Sequence, residues 1–215
     1  MNWNVEVFRQ RLNNRGVQAD QIEQLLDTLK LIIERFTYHS KVSQNIWRSQ
    51  FETNEYRFNS PAARRPEFET ESNFIASLQA IHPIADIMGQ IINGAVLNNL
   101  MAIHQVSLQR IKTALEADTR YINILTAVND LIESQEYKFL DGFVNTIKHR
   151  KLIETLHHGE FGPNTEQRNG LKTEEFSFRQ NTFAPMWIDD VIDNYIGEVI
   201  DKTMTIGNAI NDYLQ

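Results

Sequence analysis

The stretch from Asp20 to Phe36, DQIEQLLDTLKLIIERF, sets Ile22, Leu25, Leu26, Leu29, Ile32, Ile33 and Phe36 three and four residues apart. That repeat lines one side of an α-helix with apolar side chains. No breaker follows until Ser60-Pro61, so the helix is free to continue past Trp47 and Phe51. The same spacing recurs through most of the chain, and only nine Gly and five Pro punctuate its 215 residues. The fold expected from this pattern is all-α.

Working outward, a short helix is expected from Asn4 to Asn14, stopping at Gly16, and a loop from Ser60 to Pro66. Helical spacing returns from Glu69 to Asn98. There His82-Pro83 removes one intrahelical hydrogen bond and should kink or split the helix. Another helix runs from Ser107 to Glu133, with Asp118 or Thr119 placed to cap a restart, and the next from Gln135 to Ile153. A last helix follows Pro185 and reaches Tyr213. Between Gly159 and Phe183 the texture changes, with turn signals at Gly162-Pro163-Asn164 and Asn169-Gly170 and alternation in Glu175-Phe-Ser-Phe178. A β-hairpin is expected, with strands near Glu160-Phe161 and Lys172–Phe178. The architecture is then a single helical-bundle domain over residues 1–215, with a small hairpin (about 159–183) inserted before the C-terminal helix.

Composition narrows the function. The 28 Asp and Glu outnumber the 21 Lys and Arg, for a net charge of −7. Such a chain repels duplex DNA, while a short basic site for single-stranded RNA stays compatible with it. The absence of cysteine excludes disulfides, cysteine-ligated zinc, iron–sulfur clusters and thiol catalysis. The opening residues MNWNVE lack the basic and apolar segments of a signal peptide, and no apolar run approaches a membrane span. A cytoplasmic, prokaryotic protein without membrane association is expected. Dinucleotide, P-loop, zincin and α/β-hydrolase motifs are absent.

Chemistry concentrates in Asn145–His158, NTIKHRKLIETLHH, which holds three of the six histidines and the cations Lys148, Arg150 and Lys151. On a helical projection Phe139, Leu140, Phe143, Val144 and Ile147 share one face, and Asn145, Lys148 and His149 lie opposite. Arg150 projects onto the edge of the apolar face. A covered guanidinium cannot shed its charge and requires a carboxylate, a phosphate or carbonyl groups. Two readings follow. In one, Arg150 and Lys151 complement the negative end of the helix, and His149 and His158 are simply exposed. In the other, Arg150 holds a phosphate while His157, seven residues on, passes a proton to or from a ribose 2′-OH.

A second polar strip, Gln79, His82, Asp86, Gln90 and Asn93, follows helical spacing around Pro83. It is either a solvated helix edge, or the source of a carboxylate (Asp86) for Arg150, or two ligands of a metal site. His82 and Asp86 supply two ligands at most, and no metal is assigned.

An arginine followed after four to six residues by histidine, at the end of a helix in a small all-α protein, resembles the HEPN superfamily. The resemblance implies a helical bundle acting as a metal-independent RNase in defence or toxin–antitoxin systems, without cofactor, and as a homodimer in which two Arg/His pairs share a cleft. Arg150 would stabilise the phosphate and His157 act as general acid or base, with Asn145, Lys148 and His149 orienting RNA or the catalytic groups. The family often carries Asn directly after the arginine, where this chain has Lys151. Other members are non-catalytic. The alternative is therefore an interaction or assembly module that engages a partner protein, with Arg150 in a structural salt bridge to a carboxylate such as Asp86.

Overall fold

The computed structural model of the protein describes residues 3–14, 19–51, 61–162 and 165–215. The fold is mainly α-helical. In chain order it runs α1 (Val5–Asn14), α2 (Ala19–Phe51), α3 (Pro61–Ile81), α4 (Ile84–Ala95), α5 (Leu108–Leu115), α6 (Ile122–Ile132) and α7 (Gln135–His149). Two hairpins follow, β1 (Thr155–Gly162) with β2 (Thr165–Thr173) and β3 (Phe176–Phe178) with β4 (Asn181–Phe183). The chain closes with α8 (Ile188–Asp190), a π-helical segment Val191–Ile196, and α9 (Gly197–Tyr213). It gathers into two compact units, one of residues 1–33, 83–137 and 197–215, the other of residues 34–82 and 138–196.

The first unit is helical. α9 packs against α1, α4 and α6, and α5 packs against α4 and α6. Its core is the stripe legible at Asp20–Phe36, in which Ile22, Leu26, Leu29 and Ile32 are buried, together with Phe8, Met88, Ile111, Val128 and Ile206. Local chemistry sets the helix starts. Asn4 Oδ1 accepts from Val7 N at 3.1 Å, Ser107 Oγ from Arg110 N, and Asp118 Oδ1 from Arg120 N at 2.9 Å, where the restart was expected. Buried Asn93 donates to Met101 O and accepts from Met101 N, which closes the loop after α4. The N-terminus is held at α9, since Trp3 Nε1 donates to Asn211 Oδ1 and Arg11 donates to the Asn211 carbonyl.

In the second unit the latter half of α2 meets α3 through Ser43 Oγ, donating to Thr70 O at 2.9 Å, and through His39 beside Asn73. An aromatic cluster fills the core. Phe139 and Phe143 of α7 contact Phe176, and Phe139 also contacts Phe183 and Tyr195, with ring centroids 5.4–5.7 Å apart. Phe176 and Phe183, cross-strand partners, stack at 4.9 Å.

Several expectations need correction. The loop expected from Ser60 to Pro66 is helical from Pro61 onward. Proline suits a first helical position because its φ is preset and its missing N–H has no partner there. Pro66, in the second turn, removes one hydrogen bond without ending the helix. The helix expected to reach Ile153 stops at His149, where the N–H groups of Arg150 and Lys151 both bond to Thr146 O. Beyond it Ile153 is buried and Leu152 exposed, the alternation of an extended chain. The hairpin therefore starts earlier than expected and takes in His157 and His158. Residues 176–183 form a second hairpin rather than the continuation of one strand. The stop at Gly16 and the turn at Pro163-Asn164 lie outside the described residues. The break at His82-Pro83 separates α3 from α4. By length and hydropathy Arg64–Ala95 qualifies as a membrane-crossing helix, but half of its most apolar window is buried in the protein.

Gly207 on α9 lies against the Trp3 indole so closely that a β-carbon would overlap the ring. Gly207→Ala should therefore destabilise the protein by about 2 kcal/mol, despite alanine's better helix propensity. Urea denaturation of the variant and the parent checks this.

Candidate functional site

The end of α7 and the turn of the β3–β4 hairpin form the site. Gly142 makes their approach possible. A β-carbon there would stand 3.1 Å from Phe178 Cβ and from the Phe183 ring, so the hairpin rests on a helix face without side-chain bulk. Phe178 thereby lies beside the last turn of α7, and the Arg150 guanidinium sits over its ring at 5.3 Å from the centroid. Arg179, next in sequence, places its guanidinium over the same ring at 4.9 Å. Two arginines thus share one phenyl ring.

Arg150 is exposed rather than covered, which corrects the projection onto the apolar face. The helix ends one residue earlier, so its periodicity no longer governs where Arg150 points. Among the described residues of the second unit its guanidinium makes no hydrogen bond or ion pair with a carboxylate. Arg179 has φ 53°, the left-handed region that disfavours a residue carrying a β-carbon. Glycine would occupy that turn position without strain. A strained non-glycine residue whose side chain is 72% exposed points to a use for that side chain.

Asp141 anchors the polar side of the site. Asn145 Nδ2 donates to its Oδ1 at 2.7 Å and to its backbone carbonyl at 2.8 Å. His82 Nε2 lies 3.6 Å from Oδ1, and Arg179 Nη1 lies 3.5 Å from Oδ2. Asn145 and His82 therefore meet at Asp141, which bridges to Arg179. Asp86 is exposed and takes no part. Lys148 and His149 are exposed on the last turn of α7, as the projection placed them, and complement its negative end.

His157 belongs elsewhere. It lies on β1 opposite Leu171, half-buried, with its ring 6.3 Å from Trp47. His158 is exposed and meets Trp187 edge-on at 5.8 Å. Burial holds the His157 imidazole below its ordinary pKa; the charge of Glu67 works against this shift and that of His158 with it. Among the described residues no group of three or more His, Asp or Glu side chains is arranged to hold a metal ion.

Sequence reasoning missed Asp141, Phe178 and Arg179. Asp141 was detectable, four residues before Asn145 on the same helix face. Arg179 and Phe178 were not, because their place depends on a three-residue hairpin packing against Gly142. Comparison with protein-family models, with curated proteins and with solved structures yielded no match.

A histidine held below its unfolded pKa takes up its proton later than the unfolded chain does. Stability should then fall as pH drops through about 6.5 and level off below the depressed value. The bridged carboxylates Glu160 and Glu174, held low by Lys172 and Lys151, lose their stabilising effect only near and below about pH 4. Chemical denaturation between pH 8 and 5, as bounds around that window, should show the upper loss in the parent and a flatter profile in His157→Gln.

Proposed function

We propose that the protein is a non-catalytic binding module of a helical-bundle type, whose Arg150–Phe178–Arg179 surface takes a phosphate-bearing ligand, with single-stranded RNA as the favoured class. One observation carries this reading: an exposed guanidinium without a carboxylate partner sits beside a second on one ring, in a chain of net charge −7. A ring contact restrains each guanidinium without neutralising it, which leaves N–H donors to grip phosphate oxygens. Asp141 restrains Arg179 from below. The acidic remainder of the chain repels long polyanions, which limits binding to a short segment.

A short oligouridylate followed by fluorescence anisotropy tests this. Binding should weaken about ten-fold in Arg150→Ala and in Arg179→Ala, as loss of a charge-assisted contact requires. With two phosphates neutralised on a single strand, log K should fall against log salt with a slope of about −1.4. Arg179→Gly should lose binding while gaining about 1 kcal/mol of stability through relief of the left-handed strain. Equal affinity of the parent and both alanine variants would overturn the reading.

The HEPN-type RNase is the second reading, and His157 favours it. Burial disfavours protonation of this imidazole, and a general base must start unprotonated. It demands that Arg150 and His157 act on one phosphate, within a chain or across a homodimer. Metal-free cleavage of the same oligonucleotide, lost in both Arg150→Ala and His157→Ala, would establish it. An intact oligonucleotide, bound in an Arg150-dependent way, supports the module.

A further inference from the structure

A separate recess in the second unit carries a different chemistry. It has a volume of about 150 Å³ and lies between the latter half of α2, strand β2 and the α8–π-helix segment. That volume matches cavities that accept benzene-sized molecules, so a ligand of roughly six to ten heavy atoms fits it. Leu171, Ile188 and Ile192, all buried, supply its apolar lining, and half-buried Trp47 adds an aromatic wall. Its charged groups are more exposed: Arg48, Asp189 and Asp193. An apolar floor beneath a rim with both charge signs is the complement of a small zwitterion with an apolar tail.

Two features show that the recess is built rather than incidental. Ile192 and Asp193 lie on the π-helical segment Val191–Ile196. This i→i+5 geometry is rare, and it is found frequently at functional sites. The rim acids are also positioned. Asp193 Oδ1 accepts from Gln44 Nε2 at 2.8 Å, and Asp189 pairs with Arg168 at 2.7 Å. Arg168 also holds Asp190 at 2.8 Å and lies over Trp187, 4.6 Å from the ring centroid. Arg168 is shared by Asp189 and Asp190, offsetting one of their two charges and holding both carboxylates in place, while Asp193 meets the neutral amide of Gln44 and keeps its charge for a cation.

We propose that this recess binds a small aliphatic α-amino acid, its ammonium at Asp193, its carboxylate at Arg48 and its side chain over Ile188, Ile192 and Trp47. A simple amine would leave Arg48 without a counter-charge, and a simple acid would leave Asp193 without one. Both charges of the zwitterion are matched only when the two groups are carried by one molecule.

Isothermal titration of the full chain with L-leucine tests this, set beside isoamylamine (no carboxylate), 4-methylpentanoate (no amine) and glycine (no side chain). Saturable leucine binding is expected, with isoamylamine and 4-methylpentanoate up to about five-fold weaker, the scale of one exposed ion pair, and glycine weaker through loss of the apolar contact. Asp193→Asn and Arg48→Gln should each weaken leucine by about five-fold while circular dichroism stays unchanged, because both residues are exposed. Arg150→Ala should leave leucine binding intact, which separates this site from the phosphate surface. The assignment is overturned by absence of saturable leucine binding, by isoamylamine or glycine matching leucine, or by rim variants that bind as the parent does.

Discussion

The approach of the β3–β4 hairpin to α7 at Gly142 is the contact on which the proposed site depends. A β-carbon there would stand only 3.1 Å from Phe178 and Phe183, so any larger residue would press on the hairpin's side chains. The hairpin is short, three residues a strand, and could not hold its shape alone. It is held by Phe176 and Phe183, which enter the aromatic core around Phe139 and Phe143. Apolar burial thus fixes a turn whose tip, Phe178-Arg179, would otherwise wander. The site's polar geometry follows from a hydrophobic cause.

Electrostatics then separates the cations of the chain by their partners. Arg65 is held by Glu69, Arg120 by Asp118, Arg168 by Asp189 and Asp190, Lys151 by Glu174 and Lys172 by Glu160. Such pairs at the surface add little stability, but they occupy the donors an anion would need. Arg150 is different, because an aromatic ring rather than a carboxylate positions it. A ring restrains the guanidinium without neutralising it. Arg179 is intermediate, 3.5 Å from a carboxylate that Asn145 and His82 also approach. The pair therefore keeps positive charge at the surface of an acidic chain.

Much of the fold was legible because it rests on local rules. The stripe from Ile22 to Phe36, the break at Pro83 and the cap at Asp118 each follow from spacing or backbone chemistry within a few residues. The end of α7 was not legible, since Lys151, Leu152 and Ile153 continue a helical pattern as well as they start a strand. Pairing of Thr155 with Thr173 is what draws that segment out, and it lies far away in sequence. The candidate site inherits this limit. Asn145, His82 and Arg150 stand out in the sequence as polar residues, but their mutual geometry runs through Asp141, Phe178 and Arg179. Tertiary packing alone brings those together. His157 lies on strand β1 beside Trp47, a position set by strand pairing that helical spacing could not foretell.

The central claim is that Arg150 and Arg179 form one anion-receiving surface. Side-chain Nε–Hε resonances of the arginines, followed by NMR while a short oligouridylate is titrated in, test it most directly. Arg150 and Arg179 should shift together and saturably, while Arg65 and Arg120, already held by carboxylates, stay in place. Arg150 and Arg179 moving no more than Arg65 and Arg120, or moving with unrelated midpoints, would contradict it.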